Sequence, residues 1–273
     1  MKAAIFKGDG VMAVEEVTMP EIVWPDEVLV EVEAASICGS DLHILSVPPG
    51  QYGEPGTIMG HEFVAKVIEA GPWVKHVAVG DRVVIEPNIH CGVCPECRSG
   101  RENLCRNAVN IGQWRNGGFT QYCVVPQKQL HRIPKDIPAG EAALAEPLAC
   151  VMNGMMRINP MPHEKVVIFG AGAVLEQAIE IMECGGRILV FGQNATQVSQ
   201  IQPSEINCKE LMIVGALSTL NSFPAAIELL HNPNLKLNKI ISHEVALDEI
   251  DKGIALMRSR EAVKVIVYPG GVR

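Results

Sequence analysis

Four cysteines, Cys91, Cys94, Cys97 and Cys105, stand at the spacing C-x2-C-x2-C-x7-C. Each two-residue gap lets the backbone turn back on itself. Four thiolates from one short loop can then reach a single tetrahedral Zn²⁺ through Zn–S bonds of about 2.3 Å. Gly92, Pro95, Ser99 and Gly100, interleaved with them, are the turn formers such a loop requires. Two disulfides, or four unrelated cysteines, are the alternatives, but the rest of the chain does not read as a secreted disulfide scaffold. With every position filled by protein, this zinc has no coordination site for a substrate, and the lobe reads as a structural staple.

A second set of chemically capable residues is spread more widely. Cys38-Gly39-Ser40-Asp41-Leu42-His43 and Gly60-His61-Glu62 precede the lobe, and Glu146-Pro147 follows it at a helix start. Taken singly, Cys38 reads as a small buried hydrophobe and His61 as a hydrogen-bonded structural histidine. Glu146 on its own reads as a charge complementing a helix dipole. Taken together, Cys38, His61 and Glu146 supply the three protein ligands of a catalytic zinc that keeps a fourth position open. Such a zinc lowers the pKa of a bound oxygen acid and prepares an alcohol for loss of hydride. Ser40 and His43 then form a relay that carries the alcohol proton to water. Glu62, beside His61, orients the ligand shell or exchanges onto the metal.

These residues need a rigid frame. Up to about residue 138 the chain shows short alternating strands broken by Gly, Pro and Asp, at 2–7, 27–33, 63–70, 82–86 and 121–125. That pattern predicts a barrel-like all-β unit whose loops carry function. Helical spacing of Ala142, Leu148, Met152 and Met155 predicts one or two helices over 139–157. After it, continuous apolar runs at 165–169, 187–191 and 210–215 alternate with helical stretches at 173–184 and 222–230. This is the grammar of a parallel sheet. A last helix (247–258) and strand (263–268) close the chain. Boundaries are expected near 158–163 and 232–239.

Composition bounds the reading. Of 273 residues, 48% are hydrophobic and 20% charged, as in an ordinary globular protein, and the net charge of −8 argues against nucleic-acid or anionic-membrane partners. No run of about 18 apolar residues and no leader segment are apparent. Nine cysteines, an odd count, fit a reducing cytoplasm with metal-bound thiolates.

The wording Cys38-Gly39-Ser40-Asp41-Leu42-His43, Gly60-His61-Glu62-Phe63, Gly80-Asp81-Arg82-Val83, the four-cysteine lobe and Glu146-Pro147-Leu148 resembles the zinc-dependent medium-chain dehydrogenase/reductase family. The nearest branch resembles the sorbitol, threonine and butanediol dehydrogenases. The resemblance implies a GroES-like β-barrel catalytic domain (1–160, rejoined by 240–273) and an inserted α/β Rossmann-like cofactor domain (161–239). It implies catalytic and structural Zn²⁺, NAD(P) as hydride acceptor, a small alcohol or polyol as substrate, and a homo-oligomer. The departure lies at Gly170-Ala171-Gly172, where Leu175 stands at the third glycine position of G-x-G-x-x-G. The next segments resemble the last Rossmann units, so about three strand–helix units are missing. Gly170, Gly172 and Gly192 are the remaining candidates for cofactor contact, and weakened dinucleotide binding is expected. A catalytically silent zinc-bound oligomeric scaffold and a cofactor-independent zinc enzyme are the alternatives.

Overall fold

The computed structural model describes residues 1–161, 164, 167–169, 175–192 and 198–271, with the side chains of 167–169 excepted. Its chain divides into two compact units: 1–148 with 223–273, and 149–222.

The first unit opens with a hairpin, β1 (Lys2–Gly8) and β2 (Val11–Glu16), then the long strand β3 (Glu27–Ser36) and the short helix α1 (Gly39–Ile44). β4 (Glu62–Ala70) and β5 (Arg82–Ile85) follow, then the lobe: β6 (Asn88–Ile89), helix α2 (Pro95–Arg98) and β7 (Val109–Asn110). β8 (Tyr122–Pro126), β9 (Leu130–Ile133) and helix α3 (Ala139–Ala142) lead into α4 (Ala145–Ile158), which carries the chain into the second unit. There lie β10 (Val167–Phe169), α5 (Leu175–Ile181), β11 (Arg187–Phe191), α6 (Pro203–Cys208) and β12 (Met212–Ala216). The chain returns with α7 (Phe223–Leu230), β13 (His243–Ala246), α8 (Ile250–Arg258) and β14 (Val265–Tyr268).

β3 organises the first unit. On one edge it pairs with β4 along its length, with register shifts at Leu29/Val30 and Val32/Ala34 that bend the sheet. On the other edge, β8 covers its first half and β14 its last residues, Ala35 and Ser36. Inward-facing Val28, Val30, Val32, Phe63, Ala65 and Val67 form one buried core. Gly118 must stay without a side chain, because a Cβ there would lie 2.4 Å from the Phe63 ring.

The second unit holds a parallel sheet in the order β10-β11-β12. β10 pairs directly with β11 (Val167↔Ile188), so the first strand of this unit has the later one as its neighbour.

Both unit boundaries differ from those expected at 160/161 and 239/240. Helix α7 packs against β9 of the first unit, where the Phe223 ring stacks on His131 at 4.6 Å. That buried aromatic contact, absent from any local pattern, assigns 223–239 to the first unit. The predicted strand at 210 begins at Met212, because Glu210 adopts φ 49° and ends the preceding turn. Among the described residues, no helix is long and apolar enough to cross a membrane.

Candidate functional site

In the lobe, Cys94 caps the N-terminus of α2, its thiol accepting the Cys97 N–H at 3.5 Å, with Pro95 in the first turn. Gly92 takes φ 72°, which brings Cys91 back toward Cys94. The sulfurs stand 3.5 Å (Cys91–Cys105), 3.9 Å (Cys94–Cys105) and 4.0 Å (Cys91–Cys97) apart. A tetrahedron with Zn–S bonds of about 2.3 Å has edges of about 3.8 Å, whereas a disulfide needs about 2.05 Å. All four thiols are free. The donor set therefore fits one zinc ion and excludes the disulfide alternative. N–H groups of Val93 and Cys94 pull the Cys91 thiol down to about 6, while burial and the neighbouring thiols push Cys97 up to about 12. Crowded thiols resist joint ionisation, and a divalent cation relieves that repulsion.

The second centre is built where β3, α1 and β4 meet. Cys38 is the N-cap of α1, and its N–H donates to Asp41 Oδ2 at 2.9 Å. Gly60 (φ 89°) turns the chain just before His61 and packs against Phe119, leaving no room for a Cβ. One donor atom each from Cys38, His61 and Glu62 lies within 4.8 Å of the others. Asp41 Oδ1 faces His61 Nδ1 at 3.6 Å, too long for a hydrogen bond, and both atoms are buried without a partner. Such a pair orients an imidazole whose Nε2 is ligated, since Nδ1 then carries the proton. The donor chemistry and the orphaned pair together fit a metal ion.

Charge in this pocket is tightly coupled. Burial opposes ionisation of His61, but the Cys38 sulfur and the Asp41 carboxylate outweigh it and raise its pKa well above the usual histidine value. Glu62 is 1% exposed. It accepts from Lys264 Nζ at 2.5 Å and from the Ser36 hydroxyl. Burial raises its pKa, and the Lys264 ammonium more than reverses the shift. Burial likewise disfavours the charged Lys264, and Glu62, Cys38 and Glu146 together hold its pKa up.

The other expected residues fall as follows. Glu146 is buried (7% exposed) in the first turn of α4, and its charge acts on Lys264. Among the described residues, however, the carboxylate grouped with Cys38 and His61 is Glu62. Ser40 Oγ lies 3.2 Å from His61 Nε2, so its partner is His61 rather than His43, which is exposed one helical turn on. A helix places residues three apart on one face, yet the Ser40 side chain turns toward β4. Gly170 and Gly172 lie outside the described residues. Gly192 follows β11 with φ 120°, a conformation that favours glycine. Asp41, Ser36 and Lys264 were given no role from sequence. Asp41 carried a signal, the three-residue capping spacing from Cys38. Lys264 carried none.

The alcohol dehydrogenase GroES-like domain family matches residues 24–135. L-threonine 3-dehydrogenase of Pyrococcus horikoshii is 36% identical over 201 residues, 73% of this chain and 55% of that protein. The chain thus spans about half the length of the threonine dehydrogenases it matches. D-altritol 5-dehydrogenase of Agrobacterium fabrum is 29% identical over 294 residues, covering 83% of this chain and 87% of that protein. Among solved structures, a protein designated a zinc-binding dehydrogenase, from Sinorhizobium meliloti 1021 and bound to NADP, is similar with TM-score 0.89 and 28% identity. That likeness covers 98% of this chain and 99% of the other.

Proposed function

This chain belongs to the medium-chain alcohol dehydrogenase family, and on that premise we propose that it oxidises a secondary alcohol, polyol or amino alcohol by hydride transfer to NAD(P). The observation that carries this reading is the donor group of half-buried Cys38 with buried His61 and Glu62, and the Ser40 hydroxyl beside it. Cys38 and His61 are the metal ligands in this reading, with Glu146 or Glu62 as the third. A zinc ion there supplies a Lewis acid that lowers the pKa of an alcohol hydroxyl by several units. Asp41, facing His61 Nδ1 at 3.6 Å, would favour the proton on that nitrogen and leave Nε2 as the atom able to ligate a metal. In this reading Ser40 Oγ, 3.2 Å from His61 Nε2, would take the substrate hydroxyl proton, and a shift of its side chain toward the exposed His43 would be needed to hand a proton on to water. Lys264 and Ser36 hold Glu62 ionised. Cys91, Cys94, Cys97 and Cys105 hold the structural zinc.

The relatives favour a secondary alcohol whose neighbouring carbon bears a hydroxyl or an amine, since they include a threonine and an altritol dehydrogenase. Free thiols throughout support a reducing, cytoplasmic setting. β12, whose one strand partner among the described residues is β11, offers an edge for homo-oligomer formation. The three-stranded parallel sheet supports a shortened cofactor domain within residues 149–222, with reduced dinucleotide affinity.

The test is a calorimetric titration of the zinc-loaded protein with NAD⁺ and NADP⁺, paired with turnover on a panel of vicinal diols. Saturable binding in the high micromolar range or weaker, with cofactor reduction, is expected. No heat at millimolar dinucleotide and no reduction overturn the proposal in favour of a zinc-bound scaffold. Consumption of a substrate without any nicotinamide points instead to a cofactor-independent zinc enzyme.

A further inference from the structure

Two aromatic side chains that the proposed chemistry leaves unused, Tyr52 and Trp114, stack on each other with centroids 4.5 Å apart and planes at 27°. They remain 53% and 49% exposed. The loop of Trp114 lies against the backbone of His61, and the loop of Tyr52 lies against α1. The loop of Tyr52 folds back on α1, where Gly50 N–H donates to the His43 carbonyl at 2.9 Å. A Cβ added at Gly50 would sit 3.1 Å from His43 Nδ1. The loop of Trp114 lies against Gly60 and His61, since a Cβ added at Gly112 would meet the Gly60 carbonyl at 2.8 Å and His61 N at 3.1 Å. The loops are tied together, Glu54 N–H donating to the Gln113 carbonyl at 2.8 Å. A wet aromatic pair is thus held by the same backbone that holds His61 and His43.

The polar groups around the pair decide what it can take. Tyr52 Oη donates to Glu54 Oε2 at 2.5 Å, and Glu54, an exposed carboxylate, keeps lone pairs for further hydroxyl donors. Asn110, in the turn that carries Trp114, has a buried Oδ1 with no partner. The neighbouring Arg115 is turned away and committed to Glu27. The surface therefore offers the Glu54 carboxylate and aromatic ring faces, with no lysine or arginine bonded to Glu54 among the described residues to draw in a carboxylate or phosphate. Ring faces are the negative lobes of the aromatic quadrupole and attract polarised C–H groups.

Resting on the alcohol dehydrogenase reading, we propose that Tyr52 and Trp114 form a shelf beside the Cys38/His61 centre for the uncharged, polyhydroxylated end of an alditol. The carbon chain lies on the rings, and its hydroxyls donate to Glu54. The pair sorts neutral polyols from short alcohols and from amino acids.

The shelf is tested by ligand-observed saturation-transfer NMR and calorimetry on the zinc-loaded protein with galactitol and xylitol, a readout independent of turnover. Trp114→Ala should weaken alditol binding about tenfold, the size of one stacked aromatic contact. Trp114→Phe should restore it to within about threefold, and Trp24→Ala, at the 64% exposed Trp24, should change nothing. Glu54→Gln should weaken galactitol more than 2-butanol. Alditol affinity unchanged in Trp114→Ala, absence of binding to the unaltered protein, or equal dependence on Trp114 for L-threonine overturns the shelf. Trp114-dependent galactitol binding without cofactor reduction upholds the shelf while removing the dehydrogenase reading. Cofactor reduction with 2-butanol that ignores Trp114, with no alditol bound, does the reverse.

Discussion

At the level of single residues, buried charge is handled in two ways that differ in how openly they show in the sequence. Glu27 is 4% exposed. It accepts from the N–H groups of Val23 and Trp24 at 3.0 and 2.9 Å and from the Arg115 guanidinium. Burial alone raises its pKa, but those donors reverse the shift and leave it below the usual carboxylate value. A carboxylate with a depressed folded pKa contributes stability that is fully present above the unfolded value of 4.5 and is lost as pH falls through the folded pKa. Glu27→Gln should therefore cost about 2 kcal/mol at pH 7. Urea midpoints of variant and parent should converge as pH falls from 5 toward 3, and a constant gap across that range would rule out Glu27 as the titrating group. Glu27 opens a strand pattern and draws no notice in the sequence. Asp41 could be read locally, because it sits one capping step from Cys38. Lys264 meets Glu62 across 202 residues of chain, a distance no periodicity spans.

Elements show the same division. Strands were visible wherever one face is buried, as in β3, where alternating Val28, Val30 and Val32 enter the core. What alternation cannot convey is which edges pair. The return of β14 to Ala35 and Ser36 sets Lys264 beside the site, and the two register shifts in the β3–β4 ladder bend that sheet. The lobe was legible because its geometry follows from cysteine spacing alone, whereas the Gly- and Asn-rich loop of Trp114 reads equally as a pocket wall or as a segment with a buried core tryptophan. Gly112 holds φ 84° with its α-carbon against Gly60 and His61. A side chain there must strain the backbone and push on the peptide that aims His61. Gly112→Ala should cost about 1–3 kcal/mol in chemical denaturation. It should also reduce zinc from two equivalents to about one, the loss falling on the centre that contains His61. Retention of both ions with unchanged stability would show that this contact does not position His61.

For the molecule as a whole, both metal-type donor groups belong to the first unit, and the second unit contributes a parallel sheet with two cysteines at its surface. Resemblance made the first unit recognisable from end to end. In the second, Gly170-Ala171-Gly172 lies outside the described residues, and the direct β10–β11 pairing is the observation that fits a shortened sheet. Thiol chemistry can read the state of both units in one experiment, because the cysteines fall into classes of protection. Cys184 and Cys208 are exposed, Cys150 is half-buried and slower to react, and Cys123 is buried with its thiol pushed up to about 12. Cys38, Cys91, Cys94, Cys97 and Cys105 stand in the donor groups. A bound thiolate is a poor nucleophile toward a disulfide reagent, so metal protects where burial alone would not. In the zinc-loaded native protein, Cys184 and Cys208 should react with the reagent within minutes. A strong chelator should release the five donor cysteines in two phases, since the open three-ligand centre exchanges faster than the closed four-sulfur lobe. Cys123 should remain silent until the barrel unfolds. If Cys91 and Cys105, half-exposed at the lobe surface, were to react before chelation as fast as Cys184, the lobe could not be holding a metal, and the tetrahedral sulfur spacing would need another cause.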